Sequence, residues 1–413
     1  MTKHHAPRYD VAAVRRDFPI LSRSVHGKPL VYLDNGASAQ KPQAVIDAVT
    51  RAYAEDYANV HRGLHYLSNL STEKYEAVRG ILRRFLNAAR EEEIVFTTGT
   101  TEAINLVAQG WGVPHLKDGD EVLLSVMEHH ANIVPWHFLR ERQGVKLVWV
   151  APEPDGSLDV DKFLAAITPR TRLIALTHMS NVLGTVVDVA AVCREARARG
   201  IATMIDGSQA AVHLPVDVQA LGCDFYAITG HKLYGPSASG ALYVRADRAA
   251  EMQPFKGGGD MIREVHQDRV TYNDPPHRFE AGTPPIVQII GLGAAIEYME
   301  GLGMPAIAAH EADLRDYAIE RFAGLNWLQV QGQAPGKGAI FSFTIDGAGH
   351  AHDISTVVDR KGVAVRAGHH CAQPLMEHLG VTATCRASFG LYNTREEVDI
   401  LVDALETCRK LFG

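Results

Sequence analysis

The chain has 413 residues, which is more than one hydrophobic core usually serves and favours two or three domains folded together. Hydrophobic residues make up 46% and charged residues 22%, an ordinary globular composition that argues against long disordered or collagen-like segments. The net charge of -7 argues against a nucleic-acid-binding protein, because such proteins need clustered Lys and Arg. The polar start and the lack of an apolar run long enough to span a bilayer predict a cytoplasmic protein that does not enter the membrane.

Cysteine usage bears on the redox state of the chain and on metal binding. The five cysteines are Cys193, Cys223, Cys371, Cys385 and Cys408. An odd, widely spread set fits neither a disulfide framework nor a CxxC zinc site. We therefore expect reduced thiols and no bound metal.

The first structured region predicted is an α/β core. Short β-rich apolar runs alternate with helical patterns between about residues 90 and 245, which is typical of a parallel sheet covered by helices. The five clearest runs span residues 94–96, 122–124, 173–176, 203–205 and 225–228. Each ends in polar residues, and in open α/β sheets ligands bind beyond the carboxyl ends of the strands. One polar turn has a conformational explanation, but five together favour a single binding site.

Lys232 follows the fifth run directly, in Thr229-Gly230-His231-Lys232. A lysine condenses with a carbonyl group only when its amine is neutral, and the free side chain has a pKa near ~10.4, so its surroundings must favour the neutral form. A buried turn beside His231 could do so, whereas an isolated Gly-His-Lys is usually a solvated surface segment. Asp206 ends the fourth run and could pair with a pyridinium nitrogen. Without such a ring it would be a helix-cap candidate.

Gly99-Thr100-Thr101 opens the helix after the first run. Free N–H groups and the positive end of the helix dipole favour a phosphate there, although Thr is also a routine N-cap. Combined with Lys232 and Asp206, phosphate binding is favoured. His129 and Gln209 follow other strand ends, where a ring and an amide could cover and hydrogen-bond a pyridine ring.

After Pro284-Pro285 a helical pattern leads into a second α/β arrangement. It contains predicted strands at 339–343, 363–365 and 387–389 and predicted helices at 354–360 and 396–411. Cys371 lies there among histidines and Arg366, which favour a thiolate, instead of among apolar neighbours like those of Cys193. Arg386, just before a predicted strand, could pair bidentately with a substrate carboxylate, although a surface ion pair is the default for one arginine.

Six motifs carry a family resemblance that covers nearly the whole chain. They are Asp17-Phe18-Pro19-Ile20-Leu21, Tyr32-Leu33-Asp34-Asn35-Gly36-Ala37-Ser38, His61-Arg62-Gly63, Arg278-Phe279-Glu280-Ala281-Gly282-Thr283-Pro284, Arg366-Ala367-Gly368-His369-His370-Cys371-Ala372-Gln373-Pro374-Leu375 and Leu391-Tyr392-Asn393-Thr394. The sequence resembles the class V, fold-type I pyridoxal-phosphate enzymes, and within them the Suf-type cysteine desulfurases. Small departures are Thr229, where serine is common, and Ser237-Ala238-Ser239-Gly240 in place of a more glycine-rich turn.

The resemblance implies a fold and its division. It implies a large domain, residues 31–285, with a mostly parallel seven-stranded sheet between helices. A smaller C-terminal α/β domain, residues 286–413, carries the nucleophile loop. An N-terminal segment, residues 1–30, is expected to pack with the small domain.

The resemblance also implies roles for individual residues. Lys232 would hold pyridoxal 5'-phosphate as a Schiff base and, with Cys371 and His129, form the catalytic set. Cofactor contacts are implied for Lys232, Thr100, Thr101, His129 (stacked on the ring), Asp206 (ring nitrogen), Gln209 (ring hydroxyl), Thr229 and His231, and for Thr283 from the other subunit of a homodimer. Substrate contacts are implied for Ala37, Asn181, Arg366 and Arg386.

The activity implied is conversion of L-cysteine to L-alanine with a persulfide left on Cys371. That sulfur would pass to an acceptor protein of SufE or SufU type for iron-sulfur cluster assembly. Rival hypotheses are a selenocysteine lyase, a cysteine sulfinate desulfinase or an aminotransferase of the same fold, which Cys371 discriminates, and a non-catalytic docking scaffold. The sequence assigns no role to His350 or His352, and it predicts a surface loop at Lys256–Asp260.

Overall fold

A computed structural model describes residues 9–347 and 349–412. Its strands are β1 (Ser24–Val25), β2 (Lys28–Pro29), β3 (Val31–Tyr32), β4 (Ile94–Thr97), β5 (Glu121–Ser125), β6 (Lys146–Val150), β7 (Thr171–Thr177), β8 (Ala202–Asp206), β9 (Phe225–Thr229), β10 (Gly240–Val244), β11 (Ile262–Val265), β12 (Val270–Tyr272), β13 (Leu328–Gln331), β14 (Ile340–Ile345), β15 (Val363–Ala364), β16 (Arg366–Gly368) and β17 (Thr384–Ser388).

The α-helices cover both faces of the main sheet and one side of the smaller one. They are α1 (Val11–Arg16), α2 (Gln43–Ala54), α3 (Tyr66–Leu86), α4 (Thr100–Val107), α5 (Val113–His115), α6 (Val134–Gln143), α7 (Val160–Ala165), α8 (Val189–Ala198), α9 (Ala210–His213), α10 (Val218–Leu221), α11 (Ala246–Glu251), α12 (Ile286–Leu302), α13 (Met304–Ala323), α14 (Ala351–Asp359), α15 (Gln373–Leu379) and α16 (Arg395–Phe412).

Seven strands form the main sheet, in the order β4-β10-β9-β8-β7-β5-β6. All run in the same direction except β10, which is antiparallel to both β9 and β4. Successive side chains point to opposite faces of a strand, and both faces are buried here. Ile94 and Phe96 lie in one hydrophobic cluster, whereas Val95 lies in another. The sheet is therefore a central layer between two helical layers, as the resemblance implies.

The C-terminal part has its own sheet and core. Strands β13, β14, β17 and β16 form a four-stranded antiparallel sheet in that order. Its apolar cluster includes Phe341, Phe343 and Leu401 from this region, and also Val31 and Leu33 from near the N-terminus. The expected smaller α/β domain is thus present.

Chain segments far apart in sequence meet in each of the two cores. Strand β3 pairs in parallel with β15, and Tyr9 donates a hydrogen bond of 2.7 Å to the carbonyl oxygen of Leu391. Helix α12 packs against α2 and α3. The division at residues 30 and 285 stays a prediction, and residues 1–8 of the first segment lie outside the described residues.

Length and apolar character decide whether any of the described helices can cross a membrane. None of these helices by itself has both the length and the apolar character needed to cross a membrane. Helices α12 and α13 meet the criterion only when taken together, across a bend of 76°.

Candidate active site

A cavity of about 330 Å³ lies at the carboxyl ends of the parallel strands. Segments that follow β4, β5, β7, β8 and β9 all reach it, so the five polar strand ends meet at one place. Twelve of the residues proposed from sequence line it: Ala37, Thr100, Thr101, His129, Asn181, Asp206, Thr229, His231, Lys232, Arg366, Cys371 and Arg386.

Lys232 enters this cavity from the turn after β9. Burial lowers the pKa of its amine to about 8, although the charge of Asp206 acts in the opposite direction. Neighbouring His231 has its pKa lowered to about 4, first by burial and then by Lys232. The site therefore contains a larger fraction of neutral amine than an ordinary lysine does, and the neutral amine is the form that condenses with a carbonyl group.

Asp206 ends β8 and is buried. Its Oδ1 accepts hydrogen bonds from the Ser208 N–H at 2.9 Å and from the Ser208 hydroxyl at 2.5 Å. Ser208 Oγ is also hydrogen-bonded to Thr100 Oγ1 at 2.7 Å. Ser208 thus fixes the carboxylate relative to the start of α4. We did not single out Ser208 from sequence, although its position two residues after Asp206 was a usable signal.

The amino end of α4 faces the cavity. Gly99 precedes the helix with a φ of 141° and provides no side-chain cap, so the first amides of the helix lack an intrahelical partner. A Cβ at Gly99 would lie 3.1 Å from Thr229 Oγ1. Glycine at this position therefore leaves a space framed by backbone amides and by the hydroxyls of Thr100 and Thr229, as an anion requires.

His129 lies in the turn that follows β5, just before a 3-10 turn at His130–Asn132. Its Nδ1 accepts a hydrogen bond of 3.1 Å from the Ala131 N–H. Burial, and then the charge of Lys232, lowers the pKa of His129 to about 4. The ring is therefore neutral at ordinary pH and presents an uncharged face to the cavity.

Arg386 lies inside β17, so the prediction that it precedes a strand was wrong. The strand begins earlier because Ser342 of β14 and Arg366 of β16 both pair with Arg386. The guanidinium is buried and donates to the carbonyl oxygen of Asn181 at 2.9 Å. Burial lowers its pKa to about 10, which still leaves it cationic at neutral pH.

Asp34 connects the two arginines at this end of the cavity. It accepts a bidentate pair from Arg366, with contacts of 3.1 and 2.9 Å, and lies 3.3 Å from Arg386 Nη2. Among the described residues Arg386 Nε is buried without a hydrogen-bond partner. One carboxylate thus offsets two guanidinium groups, which leaves net positive charge for an anionic substrate group. Sequence reasoning missed Asp34, because both of its partners lie more than 300 residues away in the chain.

Cys371 lies in the loop between β16 and α15 and is exposed, whereas the other four cysteines are buried. No disulfide connects the five thiols. Burial raises the pKa of Cys193 to about 12, which makes that thiol unreactive. Cys371 is therefore the thiol that can act as a nucleophile.

Two proposed residues do not line the cavity. Gln209 is buried and donates its amide to the carbonyl oxygen of Gly36 at 2.7 Å. Thr283 is exposed, and its predicted contact lies in a second subunit. Both roles stay predictions. Of the two histidines without an assigned role, His350 caps α14 by accepting from the His352 N–H.

Comparison with known proteins places this site in a family. A model of the family described as Aminotransferase class-V matches residues 31–401. The chain belongs to the class-V aminotransferase family. Full-length relatives within it include a "Probable cysteine desulfurase" of Xylella fastidiosa (strain 9a5c), 50% identical over 98% of this chain and 97% of the relative. A "Cysteine desulfurase" of Klebsiella pneumoniae subsp. pneumoniae is also 50% identical, over 98% of this chain and 100% of the relative.

A solved class-V structure has the same fold. The crystal structure of the cysteine desulfurase CsdA from Escherichia coli is 40% identical, has a TM-score of 0.91 and covers 98% of this chain and 100% of its own. That structure is of an S-sulfonic acid form of the protein. The similarity therefore extends over both domains of the class-V fold.

Proposed function

We propose that the chain is a pyridoxal-phosphate-dependent cysteine desulfurase, which converts L-cysteine to L-alanine and leaves the sulfur as a persulfide on Cys371. One observation carries the proposal. The exposed thiol of Cys371 shares a single cavity with Lys232, Asp206 and Arg386. An aminotransferase of this fold needs the lysine and the aspartate but not the thiol.

The residues present fit pyridoxal phosphate. Lys232 supplies an amine whose pKa is lowered to about 8, and Asp206 supplies a buried carboxylate held by Ser208. The amino end of α4 supplies amides and hydroxyls for a phosphate. When bound, the cofactor supplies an electron sink that stabilises negative charge on the substrate's α-carbon.

The chain's own side chains bind the substrate and move its protons. The guanidinium of Arg386, whose buried Nε has no hydrogen-bond partner among the described residues, binds the substrate carboxylate, and Asn181 lies beside it. The neutral amine of Lys232 accepts the α-proton, and a proton returns to the same carbon after the sulfur has left. The Cys371 thiolate then attacks the substrate sulfur. An S–S bond forms as the substrate's Cβ–S bond breaks, and the electron pair of that bond stays on the carbon, which takes up a proton to become the methyl group of alanine.

We place the chain in the Suf-type group, which passes its persulfide to an acceptor protein of SufE or SufU type for iron-sulfur cluster assembly. The short loop from Arg366 to Leu375 supports this assignment, and so does the exposure of Cys371, because an acceptor thiol must reach it. A homodimer in which Thr283 contacts the partner's cofactor belongs to the same proposal. A cytoplasmic location stays a prediction.

Mass analysis after treatment with L-cysteine tests this function. The cofactor-loaded protein is incubated with L-cysteine, digested without reductant and searched for an added sulfur atom. We expect the sulfur on Cys371 alone, and we expect alanine production to be lost in Cys371→Ala.

Cys193→Ser is the matched control, because Cys193 is buried. It should retain both the added sulfur and the rate of alanine formation. Sulfur found on another cysteine, or alanine formed at the parental rate by Cys371→Ala, contradicts the proposal.

A further inference from the structure

The loop that carries Cys371 has an unusual backbone. His370 has a φ of 52° and Cys371 a φ of 56°. Two consecutive residues other than glycine thus adopt the left-handed conformation, which L-residues avoid because Cβ approaches the following carbonyl oxygen. Such a conformation persists only where the surroundings determine it.

Hydrogen bonds from the large domain hold both strained residues. The His130 N–H donates to the Cys371 carbonyl oxygen at 2.6 Å. Asn181 Nδ2 donates to the His370 carbonyl oxygen at 2.8 Å. The carbonyl groups of both strained residues are therefore held by turns that follow strands of the main sheet.

His130 makes a second contact, through its side chain. Its Nε2 accepts a hydrogen bond of 3.0 Å from the Gln373 N–H, the first amide of α15. Ala372 precedes that helix and has no side chain that can cap it. The imidazole of His130 therefore serves as the missing cap. Its backbone holds the loop before Ala372, and its ring holds the loop after it.

The position of His130 connects this clamp to the cavity. His129 lines the cavity, whereas His130, the next residue, does not. Both belong to the turn after β5, which the bond from Ala131 to His129 stabilises. One rigid turn thus sets the place of the His129 ring and of the Cys371 loop at the same time.

We propose that His130 is a positioning residue that holds the Cys371 loop in its left-handed conformation and thereby aims the thiol at the substrate sulfur. This inference rests on the proposed function and adds to it a residue outside the cavity. His130 touches neither substrate nor cofactor in this role, and it acts only through residues 371–373.

The first test measures kcat and KM separately in the cofactor-loaded His130→Ala variant. We expect the kcat for alanine formation to fall by about tenfold or more, because small misplacements of a reacting group are that costly. The KM for L-cysteine and the bound cofactor's absorbance should stay at parental values, because Arg386, Lys232 and Asp206 are unchanged.

Two further variants separate positioning from general stability. His130→Gln places an amide oxygen near the former Nε2, where it can accept from Gln373, and should restore most of kcat. His137→Ala removes a half-buried histidine of α6 whose ring contacts Arg140, and it should behave like the parent. The proposal is overturned if His130→Ala keeps the parental kcat, or if His130→Gln is as impaired as His130→Ala.

Hydrogen exchange provides a readout that does not need activity. The Gln373 amide should exchange about tenfold or more faster in His130→Ala, because it loses its acceptor, and stay protected in His130→Gln. If the parent makes no alanine, the proposed function fails and this exchange alone decides the clamp. Unchanged protection in His130→Ala then overturns it.

Discussion

Two buried lysines show what distinguishes a reactive amine in this chain. Burial lowers the pKa of Lys232 to about 8 and that of Lys337 to about 7. Lys337 donates to the carbonyl oxygen of Gly332 at 2.8 Å and lies over the ring of Phe341. Lys337 also lines a cavity, of about 390 Å³, but no other residue around that cavity is charged, whereas Lys232 shares its cavity with Asp206. A lowered pKa therefore increases the neutral fraction of both amines, but only Lys232 shares its cavity with a carboxylate that could pair with a pyridinium nitrogen.

Attachment of the cofactor should depend on Lys232 and on pH. Pyridoxal phosphate added to the cofactor-free protein, then trapped by borohydride, should label Lys232 but leave no label in Lys232→Ala. Because the pKa of Lys232 is lowered, the neutral fraction grows as pH rises through about 8. The attachment rate should therefore rise steeply from pH 6 through pH 8 and level off above about pH 9, and peptide mapping by mass spectrometry measures it.

Lys337→Met is the matched control, because it removes another amine whose pKa is lowered by burial. It should label like the parent at every pH. A rate that keeps rising to pH 10, as for an ordinary lysine with a pKa near ~10.4, would contradict the environment described for Lys232.

Individual contacts in the site were less predictable than the residues that make them. Lys232, Asp206 and Thr100 could be chosen from sequence because each follows an apolar run. Asp34 and His130 could not, since their partners Arg366 and Gln373 lie more than 200 residues away. Pairings at that distance depend on how the two cores meet, which no local pattern encodes.

At the scale of elements, buried strands were predicted best. The five apolar runs correspond to β4, β5, β7, β8 and β9. Strands β6 and β10 were not predicted from the apolar runs of the sequence. Strand β6 is only partly buried, so its apolar pattern is weaker. Strand β10 has the apolar run of a buried strand, but its antiparallel direction depends on two partners that neighbour it in space.

The proposed anion site at the amino end of α4 can be tested by changing the glycine that precedes the helix. Gly99→Ala adds a Cβ 3.1 Å from Thr229 Oγ1 at a backbone φ of 141°. We expect the affinity of the cofactor-free protein for pyridoxal phosphate to fall by at least about tenfold, since strain and crowding act together. Fluorescence titration measures it.

Gly119→Ala provides the comparison for backbone strain alone. Gly119 has a φ of 81°, and an added Cβ would meet no atom within 4 Å. This variant should lose stability but keep its cofactor affinity. Equal losses of cofactor affinity in both variants would contradict the proposal that the amino end of α4 binds the phosphate.

At the scale of the whole molecule, the N-terminal segment ties the two cores together. Arg15 donates to the carbonyl oxygen of Tyr392 at 2.7 Å and forms an ion pair of 2.9 Å with Glu397. Glu397 is buried, and burial raises its pKa. Arg15 of the N-terminal segment therefore supplies the opposite charge for the Glu397 carboxylate, which is buried in the small domain.

Arg15→Ala should destabilise the fold. Removing one partner of a buried ion pair leaves an uncompensated charge, and for this partly exposed arginine we expect a loss of about 2 kcal/mol in the free energy of unfolding. Denaturation by urea measures it. Arg16→Ala removes the exposed neighbour of Arg15 on α1 and should change stability little, whereas equal effects would show that the pair contributes nothing.

The position of β10 between β9 and β4 has a consequence for synthesis of the chain. Strand β4 has no neighbour in the main sheet except β10, which is made much later. Until residue 244 leaves the ribosome, β4 and the helix that follows it cannot join the strands made in between. The two ends of the cofactor cavity, at Thr100 and at Lys232, therefore come together only when this late strand is inserted. A nascent chain stopped before β10 should expose β4 to chaperones and bind no cofactor.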